Sequence, residues 1–117
     1  MSINSNAKGK VGEREVAALL RARGFEARRG QQFSGGGDSP DVVSDLDGFH
    51  IEVKRTENFQ LYPALAQANA DKKGGTDALV FHRRNNKEWV VVLEADVFLN
   101  LLDEHRDLLN EYRPQRS

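Results

Sequence analysis

The sequence predicts an α/β domain, a mixed β-sheet flanked by helices in the order α-β-β-β-α-β-β-α. Three observations lead there. Val16, Leu19 and Leu20 recur at helical spacing near the start. Two alternating apolar segments meet at Asp47-Gly48, a pair suited to a tight hairpin turn. An alanine-rich helical stretch then separates that hairpin from a second pair of strand-like segments.

Taken in order, the first helix runs from about Val11 to Arg23 and stops at Gly24. A short strand, Phe25 to Arg29, follows. The segment from Gly30 to Ser39 is rich in glycine and serine and cannot pack a core of its own. Asp41 to Leu46 and Phe49 to Arg55 form the hairpin. Leu61 to Lys73 is the second helix, with Pro63 tolerable in its first turn and Gly74-Gly75 as its end. Asp77 to Arg84 and Glu88 to Leu93 are strands joined around Asn85-Asn86-Lys87. The last helix spans Ala95 to Tyr112, with Phe98, Leu101, Leu102, His105, Leu109 and Tyr112 along one stripe.

These elements fit one domain over residues 1–117, with 1–8 as a loose arm and 113–117 as a tail. The chain is 38% hydrophobic and 30% charged, as ordinary globular proteins are. With no cysteine, disulfides, thiolate metal sites and cysteine nucleophiles are excluded, and a reducing cytoplasm is the expected setting. The longest apolar run, Trp89 to Leu93, is too short for a membrane span. Met1 to Lys10 lacks the apolar segment of a secretory signal.

Net charge is −1, yet the charges are unevenly placed. Residues 1–30 hold Lys8, Lys10, Arg14, Arg21, Arg23, Arg28 and Arg29 against Glu13, Glu15 and Glu26, whereas acidic groups gather toward the C-terminal end. A basic surface beside a local acidic pocket suits an enzyme that grips phosphates and holds a cation, although basic helix faces are also commonly just solvated.

The hairpin carries the chemistry. With Asp47 and Gly48 as the two turn residues, Asp41 lies opposite Lys54 and Val43 opposite Glu52. Side chains alternate along strands, so Asp41, Glu52 and Lys54 share one face, while Val42, Leu46, Phe49, Ile51 and Val53 point the other way. A bulge would break this pairing. Two carboxylates roughly 5–8 Å apart repel unless a proton or cation lies between them. All-oxygen ligands favour magnesium or manganese. Lys54, about 7 Å along the same face, can orient water or neutralise a phosphate in the transition state. The carbonyl of Val53 is a further candidate ligand. Each piece alone is ordinary, since Glu-x-Lys arises by chance and cross-strand Asp–Lys pairs are usually surface ion pairs. Pro40-Asp41, a tight hairpin and Glu52-Val53-Lys54 together are far more specific.

As a set, these residues resemble the PD-(D/E)XK nuclease superfamily, which has a restriction-endonuclease-like core, and especially the archaeal-type and phage Holliday-junction resolvases. The likeness begins at Lys8-Gly9 and Gly12-Glu13-Arg14-Glu15. It continues through Gly24-Phe25, Arg28-Arg29 and Phe33-Ser34-Gly35-Gly36 to Pro40-Asp41-Val42-Val43, Ile51-Glu52-Val53-Lys54, Tyr62 and Gln67, covering about residues 8–70. The resemblance implies a magnesium-dependent endonuclease (manganese substituting) that cuts branched DNA such as a four-way junction as a homodimer, in the cytoplasm of a bacterial or phage-infected cell.

It also implies roles. Asp41 and Glu52 are the metal-binding carboxylates, Val53 a backbone ligand, Lys54 the catalytic lysine and Glu13 an additional acidic residue near the metal. Ser34 is an active-site loop serine on the DNA side. Lys8, Lys10, Arg14, Arg29 and Arg55 contact phosphates, and Gln67 reaches the site from the second helix. Plainer roles stand beside these: Glu13 as a helix ion-pair partner, Ser34 as a turn former, Gln67 as a surface residue. The glycine-rich loop is long for the archaeal enzymes, and its Asp38 is either a metal helper or a turn residue.

Three histidines, His50, His82 and His105, are too widely spaced for a zinc motif. His50 shares the Glu52 face, where a supporting role competes with plain packing. His82-Arg83-Arg84 reads as a basic strand end. The last helix and the strand before it offer more apolar surface than a small domain buries, which favours a two-fold dimer. The alternatives are the same chemistry on other DNA (nicking, flap or restriction-like cleavage) and a DNA-binding module without activity.

Overall fold

The computed structural model describes residues 5–30 and 40–112, with side chains from Lys8 onward. The elements are α1 (Ser5–Ala22), β1 (Ala27–Arg29), β2 (Val42–Ser44), β3 (Phe49–Arg55), α2 (Leu61–Asp71), β4 (Asp77–Arg83), β5 (Val90–Val92) and α3 (Ala95–Tyr112). Their order is the expected one. The strands form one sheet in the order β1-β2-β3-β4-β5. Only β3 and β4 are parallel, with α2 as the crossover between them.

Strand alternation divides the core in two. On one face, Val16, Ala17 and Leu20 of α1 pack against Val42, Ile51 and Val53. Leu19, expected on that stripe, is 45% exposed, because Ala17 rather than Leu19 completes the inward row. On the other face, Ala64 and Ala68 of α2 cover Ala78 and Val80 of β4. In the parallel register His50 lies beside Ala78, Glu52 beside Val80 and Lys54 beside His82, so α2 shares the face of Glu52.

Two glycines shape α1. A Cβ at Gly12 would lie 2.8 Å from the Cβ of Arg55, so the helix can approach β3 only without one. Gly24, at φ +92°, ends the helix: its N–H donates to Arg21 O and that of Phe25 to Leu20 O, a Schellman cap. Glu15 ties α1 to the far strands, accepting from Arg83 Nη1 and, at 3.1 Å, from Trp89 Nε1.

The hairpin differs from the expected register. Val42 faces Ile51, not Val53, and the connection runs through four residues, Asp45 to Gly48. A two-residue type I′ turn needs positive φ at both positions, and Gly48 has it while Asp47 does not. Asp47 N–H instead donates to Asp45 O, and Leu46 N–H to Ser44 Oγ. Asp41 N–H also reaches the carbonyl of Ile51, at 2.9 Å. Two successive residues therefore stand against one, an offset of the kind a β-bulge makes. The expected pairing of Asp41 with Lys54 is replaced by this closer approach to Glu52.

The last helix, α3, stands out from the body. None of its residues is buried, and the molecule measures 64 × 31 × 26 Å. Its radius of gyration is 16.1 Å, against about 13 Å for a compact chain of this length. Among the described residues no helix is long and apolar enough to cross a membrane.

Candidate active site

Asp41 enters the site just ahead of β2, held by its backbone on both sides. Its N–H donates to Ile51 O, and its carbonyl accepts from Gly30 N–H at 2.8 Å. The side-chain Oδ2 accepts the N–H of Val53 at 2.8 Å. Glu52, on β3, is hydrogen-bonded to Asp41 through the side chains. Asp41 is 8% exposed and Glu52 9%.

Two carboxylates in contact at this depth cannot both carry charge cheaply. Burial is the main force raising Asp41 to about 7, reinforced by the hydrogen bond to Glu52 and by that residue's charge, against Val53 N–H and Lys54. Glu52 is also raised, first by burial and then by the charges of Asp71 and Glu13, while the bond from Asp41 and the charge of Lys54 oppose this. Without a cation, Asp41 therefore holds its proton up to about pH 7, donating it in the hydrogen bond to Glu52.

Lys54 follows on β3, half-buried, and its charge acts on both carboxylates. It lines a pocket with Thr56, Asn58, Phe59 and, from α2, Gln67. The carbonyl of Lys54 lies 2.9 Å from His82 Nδ1, and the His82 ring stacks on Phe59 with centroids 3.9 Å apart.

Glu13 is close enough to Asp41 and Glu52 for its charge to act on both. It is held by Arg29, whose Nε lies 2.5 Å from its Oε2. Burial raises the Glu13 carboxyl and Arg29 opposes the rise. Among the described residues no three His, Asp or Glu side chains converge as a ready cage for a metal. Magnesium is commonly held by only one or two carboxylates, with water completing its shell. The buried, mutually repelling pair of Asp41 and Glu52, with the Val53 carbonyl between Glu52 and Lys54, has the donor chemistry for such an ion.

The expected phosphate contacts are spread out. Lys10 and Arg14 are exposed on α1, Lys8 is half-buried, and Arg29 is engaged by Glu13. Arg55 alternates away from Lys54 onto the α1 side, where it bonds Asn85 Oδ1 at 2.8 Å and lies 4.0 Å from Glu15. Ser34 and Asp38 lie outside the described residues. Sequence reasoning missed Gly30 and Asp71 and undervalued His50, whose Nε2 is 2.6 Å from Glu52 Oε1. Only the placement of His50 two residues before Glu52 hinted at its contact.

A mixed sheet that offsets one acidic residue against a Glu-x-Lys strand defines a PD-(D/E)XK-type nuclease. Comparison with known proteins agrees. The sequence matches the family of archaeal Holliday junction resolvases (hjc) over residues 4–99. The structure is similar to that of Archaeoglobus fulgidus Hjc, a Holliday junction resolvase from an archaeal hyperthermophile, with a TM-score of 0.55 and 25% identity. That likeness covers 74% of this chain and 72% of the other. No curated protein matches the sequence. This chain belongs to the archaeal Holliday junction resolvase family, and its class of chemistry is the hydrolysis of phosphodiester bonds in DNA.

Proposed function

We propose that the chain resolves four-way DNA junctions as a homodimer in the cytoplasm, by magnesium-dependent hydrolysis at Asp41, Glu52 and Lys54. The observation that carries this reading is the contact between the two buried carboxylates beside Lys54, in a chain of this family. Asp41 and Glu52, with the Val53 carbonyl, would hold Mg2+, and Mn2+ has the same ligand preference. When bound, the ion polarises the scissile phosphate and lowers the pKa of the attacking water.

The remaining steps belong to the side chains. Lys54 faces the scissile phosphate and offsets the charge that develops on it. Glu13, fixed by Arg29, is the third acidic group of the site and keeps its local charge negative. Lys8, Lys10 and Arg14 on α1, with Ser34, grip neighbouring phosphates without reading sequence. Gln67 approaches the strand beside Lys54. Paired cuts need two such sites on one junction, and the unpartnered apolar stripe of α3 supports pairing of two copies.

The test is cleavage of a labelled four-way junction with Mg2+, beside linear duplex, flap and single strand. Symmetric paired nicks confined to the junction are expected. Cutting of the other substrates with equal efficiency would reassign the substrate.

A further inference from the structure

We infer that His50 is a positioning residue: its ring Nε2 holds Glu52 Oε1 and so fixes the orientation in which Glu52 meets Asp41. This rests on the nuclease reading of the same site. His50 and Glu52 are two residues apart on β3 and project from one face, with Nε2 and Oε1 2.6 Å apart.

The setting argues for a purpose beyond packing. His50 is 3% exposed, and the buried apolar residues on that face are Ala78 beside it in β4, then Val80, with Ala64 and Ala68 of α2. An apolar side chain would satisfy such surroundings more cheaply, since an imidazole costs desolvation unless its nitrogens find partners. For Nε2 that partner is the carboxylate of Glu52.

The two carboxylates are then held in parallel ways. Asp41 is fixed by the Val53 N–H at 2.8 Å and Glu52 by His50 at 2.6 Å, and the pair meets between these two donors. Glu has three side-chain torsions to fix, and His50 Nε2 meets one of its carboxylate oxygens. A neutral imidazole performs this task only as the Nε2–H tautomer, donating to Oε1. Groups that orient a metal-binding carboxylate are commonly worth about 10–100-fold in metal affinity or activity.

His50→Leu keeps bulk and removes the donor. His50→Gln returns an N–H where Nε2 stood. The experiment measures Mn2+ binding to wild type and both variants by calorimetry, junction affinity in EDTA, and the wild-type ring tautomer by 15N NMR. Expected is roughly 10–100-fold weaker Mn2+ binding for His50→Leu, most of it recovered in His50→Gln, with junction affinity in EDTA unchanged and Nε2 protonated. Mn2+ binding equal in all three proteins, or equally weakened in both variants, would overturn the inference and leave the nuclease reading intact. An unprotonated Nε2 in wild type would overturn it even if His50→Leu fails to fold. Wild type that binds no Mn2+ would take down both.

Discussion

Gly30 and Asp41 are joined backbone to backbone across the glycine-rich loop: the N–H of Gly30 donates to the carbonyl of Asp41 at 2.8 Å. A Cβ on Gly30 would lie 2.2 Å from the carbonyl oxygen of Pro40. The position of Asp41 therefore depends on the absence of a side chain eleven residues before it. Gly30→Ala must push Pro40 and Asp41 away, at a cost of about 1–3 kcal/mol by the usual scale of overpacking. The expected result is a folded protein with a lowered Tm and a larger loss in kcat than in junction affinity. Unchanged cleavage would show that the close approach is not needed.

The carboxylates themselves give the sharpest test. Asp41→Asn and Glu52→Gln keep the shape of the site and remove the charge proposed to hold a cation. Each should lower single-turnover junction cleavage on the order of 10²–10³-fold or more. Binding of the junction in EDTA should stay or tighten, because repulsion of phosphate is relieved. Lys54→Gln should also lower cleavage while sparing Mn2+ binding. A variant at Asp41 that still cuts would move the chemistry elsewhere.

The raised carboxyl of Asp41 makes stability and metal affinity respond to pH in opposite senses. Its folded pKa is about 7 against an ordinary 3.8, chiefly through burial. Between those values the native state binds the proton that the unfolded chain releases, so metal-free stability falls as pH rises from about 4 to about 7. The whole penalty is present above 7. Asp41→Asn should flatten this slope and raise the Tm of the metal-free protein at pH 8, by about 5 °C for each kcal/mol regained. Mg2+ must displace that proton, so its half-saturating concentration for cleavage should fall as pH rises from 6 to 8. Thermal melts in EDTA and Mg2+ titrations across pH read both slopes, and a stability rising through this range would contradict the assignment.

Much of this was legible in the chain because it is local. Glu52 and Lys54 share a strand face by alternation alone, and the order of elements follows from two periodicities and a few glycines. The start of α1 was not, since residues 5–10 carry no apolar repeat, yet the helix begins at Ser5. Nor was the offset at Asp41, which arises from Ile51 on the neighbouring strand taking an N–H that no straight hairpin would offer it. Gly30 and His50 escaped for a related reason. Both act through a contact of one atom with one partner, and such contacts leave no pattern in a sequence.

The last prediction concerns α3. With Leu102 and Leu109 at the first core position of a seven-residue repeat, Phe98, His105 and Tyr112 fall at the second, and Leu99, Leu101 and Leu108 flank the seam. Asp96, Asp103, Glu104, Asp107 and Glu111 all fall on the outer positions, so the acidic charge faces away from a partner. Of the charged residues only Arg106 flanks the seam, and it pairs with Asp103 and Asp107 of its own helix. Most helical stability in proteins comes from packing an amphipathic face, and Phe98, Leu102, Leu108 and Leu109 are 39–53% exposed here. A second copy of α3 along the same seam, about 27 Å long, would supply the missing contacts. Light scattering should give a dimer mass for the wild type. Leu102→Lys with Leu109→Lys should give a monomer of little-changed single-chain stability, because neither leucine is buried within one chain. That monomer should nick junctions on one strand at a time instead of in pairs. A wild-type monomer, or a double variant that still dimerises, would place the interface elsewhere or remove it.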